Sequence, residues 1–513
     1  MPRESAYRDM RTIQQSFHSF TQIVASNPAL WIGFACVCAW PWTCTSATLA
    51  YANAVTVGSP VWIGSNFTYL IIGIAGIAFG IGSRRVGERF PNSAVAVIAG
   101  VCYVAASALF VQLSKLPIDY LDPSYATVSF IWPVFAGIGQ TLLFLEWMKA
   151  FGGVGPRKTI AFVVSASVLG SALLFAMNFF PQFVREFMPA IVGVAAAACA
   201  YRMAQRIPAE DAPGTAAPSP VGLAIPKAPR APWKLLLTTL VAGFSFGVFQ
   251  SLSFTGAFGT TAWYANGVVG FLVASVLFAL ITLVLRMNFN YMIYRVSFVI
   301  MATGAFVCLF GSEASSWGYG IYCVGYRCFD MLVWCLCAYL IRHRSVSPIW
   351  LGGLSIGTLL AGRFLGFELF TLLHPLVGRE DVSLLVASVL LVLLVTALFL
   401  VSHNNLLEAW GMVKPGETLN DREIAESCCM QIAGQYRLSA REREVLLQMA
   451  QGKSRAEIGD ELVLSEETIK THLRHIYQKC GIHSRKELED MVARRIREVK
   501  EDRIDLMKSD AEE

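Results

Sequence analysis

Twelve stretches of this chain are long, apolar and almost free of charge, which no ordinary water-soluble core requires. A helix that crosses a lipid bilayer needs ~20 mostly apolar residues. Segments of that kind run over 29–51, 60–82, 93–112, 126–148, 159–180 and 186–203, then over 233–255, 262–285, 295–312, 317–341, 348–373 and 382–402. The whole chain of 513 residues is 55% hydrophobic and 15% charged, with mean hydropathy +0.53. Soluble domains usually carry about 25% charged residues. The expected fold class is therefore all-α, with a polytopic twelve-helix membrane bundle filling most of the chain.

The division is six and six. Residues 29–203 form the first half and 233–402 the second. Between them, 204–232 is rich in Pro and Ala, lacks helical periodicity, and reads as a cytoplasmic linker. Residues 1–28 read as a cytoplasmic N-terminus. Arg3, Arg8 and Arg11 precede an apolar run too long for a cleaved signal core, so that run reads as a first span. Cytoplasmic loops carry an excess of Lys and Arg. With the N-terminus inside, the inner segments hold eighteen of these residues, including Arg84, Arg85, Arg89, Lys158 and Arg286. The outer loops hold three: Lys115, Arg185 and Arg379. An even number of spans then returns the C-terminus to the cytoplasm. The expected location is the cell (inner) membrane, multi-pass, with both termini inside.

Six plus six spans around a central inner linker resembles the major facilitator superfamily. In the loop after the second span that family carries Gly-x-x-x-Asp-Arg-x-Gly-Arg-Arg. Here Gly80, Arg84, Arg85, Gly87, Glu88 and Arg89 stand in that register, with Arg84 replacing the Asp and Glu88 replacing an Arg. The resemblance implies the family's bundle. The replaced acid counts against its transport cycle.

Ionisable groups inside spans are costly and usually functional. The tenth span holds Arg327 and Asp330, three residues apart on one helical face, and the eleventh holds Arg363 and Glu368. Gln140, Glu146, Asn178, Gln250 and Asn266 add further polarity. One reading is a polar cavity for a small ligand, an anion met by Arg327 or Arg363. The other is mutual neutralisation, Arg327 by Asp330 and Arg363 by Glu368, locking helices together. Gly353-x-x-x-Gly357 and Gly362-x-x-x-Gly366 in the eleventh span permit close helix approach. Thirteen cysteines occur without a Cys-x-x-Cys pair, and ten lie in apolar runs as small hydrophobes. Adjacent Cys428 and Cys429 read as exposed.

After Ser402 the composition changes. Residues 403–436 read as a polar linker with a short helix near Asp421–Ala433. Residues 437–500 hold fourteen Lys/Arg and eleven Asp/Glu. They read as four short helices, because Ser439-Ala-Arg-Glu442, Ser454-Arg-Ala-Glu457 and Ser484-Arg-Lys-Glu487 are each S-x-x-E capping boxes. Ser465 with Glu466 and Glu467 starts another helix, while Gly452 and Gly481 fall where helices end. In the helix from Glu466 to Lys479, Ile469, Leu473, Ile476 and Tyr477 share one face. That face is expected to pack on Val445, Leu446, Ile458 and Leu462. Lys470, Thr471 and Arg474 lie on another face, with Lys470 and Arg474 one turn apart. Residues 501–513 carry six acids against Arg503 and Lys508, and read as a frayed acidic tail.

About 60 residues here resemble the LuxR-type (GerE-type) helix-turn-helix family. The likeness rests on Leu438, Arg441, Glu442, Val445, Leu446 and Gly452, then on Ile458, Leu462, Ser465, Thr468 and Ile469, and on Lys470, His472, Ile476, Lys479, Gly481 and Leu488. Arg455, Gly459 and Cys480 depart from the usual pattern. The resemblance implies a cytoplasmic four-helix DNA-binding domain over 437–500, with 466–480 as recognition helix. Lys470, Thr471 and Arg474 occupy the base-facing positions, and Thr468, His472, His475, Lys479 and Arg485 add contacts. Helix 485–497 supplies the dimer contact used on paired half-sites.

The expected function is a membrane-embedded bacterial transcriptional regulator in which a twelve-span sensor controls promoter binding. The expected partners are promoter DNA, the lipid bilayer, an unidentified small-molecule ligand and, on DNA, a second copy of the chain. A secondary transporter of the major facilitator type with a regulatory tail is the alternative. The sequence holds no phosphate-binding Gly-rich loop, metal-spaced His/Cys cluster or nucleophile elbow, so no enzyme, metal or cofactor is expected.

Overall fold

The computed structural model describes residues 20–48, 60–83, 92–154, 156–206, 231–254, 262–281, 296–310, 312–344, 346–373, 381–400, 410, 412, 421–450, 453–462 and 464–509. Two compact units divide them, the larger ending at Met412 and the smaller holding the C-terminal part from Val413 together with the last residues of one helix.

Each of the twelve apolar segments contains a described helix. In the first half these are α1 (Pro28–Thr48), α2 (Pro60–Ile81), α3 (Asn92–Lys115), α4 (Pro123–Val154), α5 (Pro156–Met177) and α6 (Gln182–Arg206). The second half holds α7 (Trp233–Phe254), α8 (Ala262–Leu280), α9 (Phe298–Val307), α10 (Ser312–Arg344), α11 (Pro348–Leu373) and α12 (Asp381–Leu400). Among the described residues, seven helices are long and apolar enough on their own to cross a bilayer. An eighth qualifies if Phe20–Ser26 is joined to α1 across an 86° bend. The ninth segment is shorter than expected: α9 stops at Val307 and a 3₁₀ turn, Cys308–Phe310, follows it. The tenth begins earlier, at Ser312 rather than 317. The Gly-Arg loop over 84–89, most of the Pro/Ala-rich linker and Gly452 lie outside the described residues.

Large apolar side chains point outward from these helices. Val101 is 63% exposed, Phe175 61% and Leu398 78%. Aliphatic faces left bare in this way suit hydrocarbon rather than water.

The glycine pattern acts where the sequence placed it, on α11. A Cβ added at Gly362 would lie 2.2 Å from the carbonyl oxygen of Leu240, and one at Gly366 would lie 2.0 Å from that of Phe244. The partner helix α7 answers with Gly243 and Gly247, whose added Cβ atoms would meet Leu359 O and Arg363 O at 1.9 and 2.1 Å. The backbones therefore touch, and only glycine fits. A second glycine face of α11, Gly353 and Gly357, packs on Gly76 and Gly80 of α2. So α11 is clasped by one helix from each half.

The smaller unit holds α13 (Asp421–Gln435), α14 (Ala440–Ala450), α15 (Arg455–Leu462), α16 (Glu466–Cys480) and α17 (Arg485–Ser509). Two expectations change here. The helix at 421–435 is not part of a spacer: Cys429, Ile432 and Ala433, spaced one turn apart, join the core built by Val445, Leu446, Ile458, Ile469 and Leu473. Cys428 and Cys429 are accordingly buried rather than exposed. And α17 continues to Ser509, through much of the stretch read as a frayed tail. Its Arg, Glu, Lys and Leu residues are good helix formers, and interleaved opposite charges support the extension.

Candidate nucleic-acid interface and intramembrane cavity

The capping signals fix the tail's helix starts. The Glu442 carboxylate accepts from the Ser439 N–H at 2.6 Å, and the Glu442 N–H donates back to Ser439 Oγ at 3.3 Å. Ser454 and Glu457 repeat the exchange at 2.7 and 3.3 Å. At Ser484 the form shifts: Glu487 N–H donates to Ser484 Oγ, but its carboxylate takes the N–H of His483. Ser465 caps α16 by accepting from Thr468 N–H, and Gly481 ends it at φ 68°. Held this way, the Glu457 and Glu487 carboxyls sit below the usual carboxylate range, through the hydrogen bonds from Ser454 and His483 respectively.

Helix α16 buries Ile469, Leu473, Ile476 and Cys480 and turns its polar side outward. Lys470, Arg474 and His475 are exposed, while Thr468, Thr471 and His472 are partly covered. Lys470 Nζ reaches Glu467 at 3.1 Å, a solvent-exposed pairing of little worth, and Thr471 Oγ donates to the Glu467 carbonyl. Lys470 and Arg474 thus project one turn apart from a well-capped helix. The other two cations have different partners. Lys479 Nζ lies 2.6 Å from the Glu442 carboxylate and 3.4 Å from the carbonyl oxygen of Arg437. Arg485 donates to the Lys453 carbonyl at 3.0 Å and to Glu489 at 2.7 Å. Lys479 ties α16 to α14, and Arg485 ties α17 to the segment before α15, roles the sequence pattern alone did not show.

A cavity of about 170 Å³ opens inside the larger unit. Among the described residues, its charged lining comprises Arg327, Asp330 and Arg363. The two sequence alternatives are split between the two arginines. Arg327 is neutralised: its guanidinium pairs with the Asp330 carboxylate and lies over the Phe271 ring, 3.8 Å from the centroid. Arg363 is not paired with Glu368. Five residues apart, the two side chains leave the helix in different directions, and among the described residues no carboxylate lies in ion-pairing reach of Arg363. Instead Arg363 Nε donates to Gln250 Oε1 at 2.9 Å, and its guanidinium lies between the rings of Tyr69 (4.1 Å) and Phe246 (4.3 Å). Gln250 Nε2 in turn donates to Tyr69 OH at 3.4 Å.

Of the remaining polar residues, Gln140 also lines the cavity, and the side chain of Asn266 lies outside the described residues. Gln140 accepts from Tyr103 OH and donates to the Val37 carbonyl, joining α1, α3 and α4. Glu146 pairs with Lys149 at 2.5 Å, and Asn178 caps the end of α5 through the Leu174 and Phe175 carbonyls. Of the groups around Arg363, Tyr69 and Phe246 carried no sequence signal. They are aromatic residues in apolar spans, and nothing local separates a cation-facing ring from a lipid-facing one.

Residues 436–492 match the family model described as "Bacterial regulatory proteins, luxR family". This region is 40% identical over 76 residues to the Fimbriae Z protein of Escherichia coli K12, covering 15% of this chain and 36% of that protein. Another relative is the "Probable transcriptional regulatory protein NarL" of Mycobacterium tuberculosis, 48% identical over 48 residues, or 9% and 22% of the two chains. The chain spans only 7% to 36% of the length of such curated relatives. The membrane part is similar to solved transporters. A bacterial homologue of the iron transporter ferroportin aligns over 74% of this chain and 99% of its own, at 15% identity and TM-score 0.51. The human organic anion transporter MFSD10 aligns over 74% and 99%, at 11% identity and TM-score 0.53.

Proposed function

We propose that this chain, a LuxR-type helix-turn-helix domain joined to a major-facilitator-like membrane domain, is a membrane-embedded transcriptional regulator. The twelve apolar helices span the membrane as six plus six, both termini lie in the cytoplasm, and the tail binds promoter DNA as a homodimer. Lys470, Thr471 and Arg474 read bases, with Thr468, His472 and His475 beside them, while Lys479 and Arg485 brace the fold that presents them. The observation carrying this reading is the pairing on one polypeptide of an exposed, capped cationic helix with a bundle enclosing a charged cavity.

Control requires two states of the bundle that present or pair the tails differently, and a ligand must distinguish them. Helix α11 is suited to that task. It carries Arg363 on the cavity and is clasped by α2 and α7 through glycine contacts. A ligand held at Arg363 acts on the helix that joins the two halves.

Genome-wide DNA crosslinking through the intact protein, with topology reporters at both ends, tests the proposal. Discrete promoter peaks that disappear in Arg474→Ala are expected. Reporters placing the C-terminus outside the cell, or crosslinking without discrete peaks, would refute it. Substrate flux in vesicles without any promoter occupancy would make the protein a transporter instead.

A further inference from the structure

From the charge balance of the cavity we infer that it takes a small aromatic monocarboxylate, seated with its anion on Arg363 and its ring among the cavity aromatics. This deepens the proposed sensor reading and rests on it.

Two observations converge. The first is charge. A cation in a spanning helix is costly to hold at mid-membrane. Arg327 offsets that cost with the Asp330 carboxylate. Arg363 has two ring faces and one neutral amide, which together favour it. Neither rings nor amide cancels its charge. Of the three charged groups that line the cavity among the described residues, two cancel and one positive charge remains. Gln250 takes the Nε proton, leaving the terminal nitrogens as the fork that binds a carboxylate in two-pronged fashion.

The second is size and wall. About 170 Å³ is close to the ~150 Å³ apolar cavity that accepts benzene. It is well under the ~300–1,000 Å³ of pockets for drug-sized ligands. A single ring with one acidic substituent is of that size, and the aromatic wall favours it over a polar sugar. Trp40, Phe110, Phe144, Phe271 and Trp334 supply flat apolar walls.

The test uses the full-length protein in detergent or lipid nanodiscs, with tryptophan fluorescence and calorimetry as readouts. The probes are benzoate, 4-hydroxybenzoate, salicylate and phenylacetate against benzamide, 4-hydroxybenzamide and benzylammonium. Carboxylates should bind at least tenfold more tightly than their amides, with benzylammonium weakest. Arg363→Gln should abolish that preference and Arg363→Lys should restore part of it, while Asp330→Asn should not weaken carboxylate binding. Amides or benzylammonium binding as well as the carboxylates, or no carboxylate binding at all, would overturn the assignment, and the wild-type comparison does not depend on any variant folding. Promoter binding by the same samples separates the two claims. Carboxylate binding that leaves DNA affinity unchanged would overturn the sensor reading alone. DNA affinity that responds to another ligand class, with no carboxylate bound, would overturn this inference alone.

Discussion

The Lys479 ammonium lies 2.6 Å from the Glu442 carboxylate, joining the end of α16 to the first turn of α14. Burial raises the Glu442 carboxyl, but hydrogen bonds from Lys479 and Ser439 outweigh it and hold the group below the usual carboxylate range. A depressed folded value stabilises the tail above the unfolded carboxylate pKa, about 4.3, and that contribution is lost as pH falls through the folded value. Glu442→Ala removes both the ion pair and the reciprocal cap and should cost about 2 kcal/mol. Glu442→Gln keeps part of the cap and should cost about 1 kcal/mol, because Lys479 is partly solvated. Urea melts of the isolated 418–513 fragment at pH 7 and pH 3.5 check this. Glu442→Gln should approach wild type as pH falls, while Glu442→Ala should keep a deficit of about 1 kcal/mol, because a protonated Glu442 still accepts from Ser439 N–H.

Lys470→Ala or Arg474→Ala should weaken promoter binding by about 1–3 kcal/mol for each base no longer read, without lowering the fragment's melting temperature. Lys479→Ala should do the reverse, lowering stability first and DNA affinity only through it. Gel shifts and thermal melts on the same fragments separate the two. An Arg474→Ala fragment that binds as wild type does would remove that residue from the interface.

Arg437 closes the turn between α13 and α14 at φ 49°, a left-handed conformation that costs a side-chain-bearing residue about 1–2 kcal/mol. Its carbonyl, not its side chain, accepts from Lys479. Arg437→Gly should therefore stabilise the tail by about 1 kcal/mol, less some offset from the freer unfolded chain. A raised urea midpoint with an unchanged denaturant slope is the expected result.

What the sequence revealed and what it hid follow from range. Helix positions along the bundle come from runs of apolar residues, and the tail's helix starts come from Ser-x-x-Glu spacings, both of which are local. Arg327 finds Asp330 one turn away on its own helix. Arg363 finds Gln250, Tyr69 and Phe246 on two other helices, at separations of more than 100 residues, so the nearest acid in sequence, Glu368, was a misleading guide. The place of α13 in the tail's core was hidden for a similar reason. Cys429, Ile432 and Ala433 are too few to mark an amphipathic helix until α14 and α17 meet them.

The α7–α11 contact offers the sharpest test of packing in the bundle. Real Cβ atoms essentially never come within 3.0 Å of another heavy atom, yet one added at Gly366 meets Phe244 O at 2.0 Å and one at Gly362 meets Leu240 O at 2.2 Å. Backbone stands in the way, so no side chain can rotate aside and the two helices must part. Overpacking of this kind costs about 1–3 kcal/mol. Gly366→Ala and Gly362→Ala should each lower the melting temperature of the full-length protein in detergent. They should also loosen the stacking of Arg363 on Phe246, since Phe246 lies on α7 between Gly243 and Gly247. In the tail, Gly434 has open space around an added Cβ, so Gly434→Ala should instead raise the fragment's stability by about 0.5–1 kcal/mol. If Gly366→Ala melts as wild type does, α7 and α11 are not in backbone contact, and the ring stack around Arg363 loses its support.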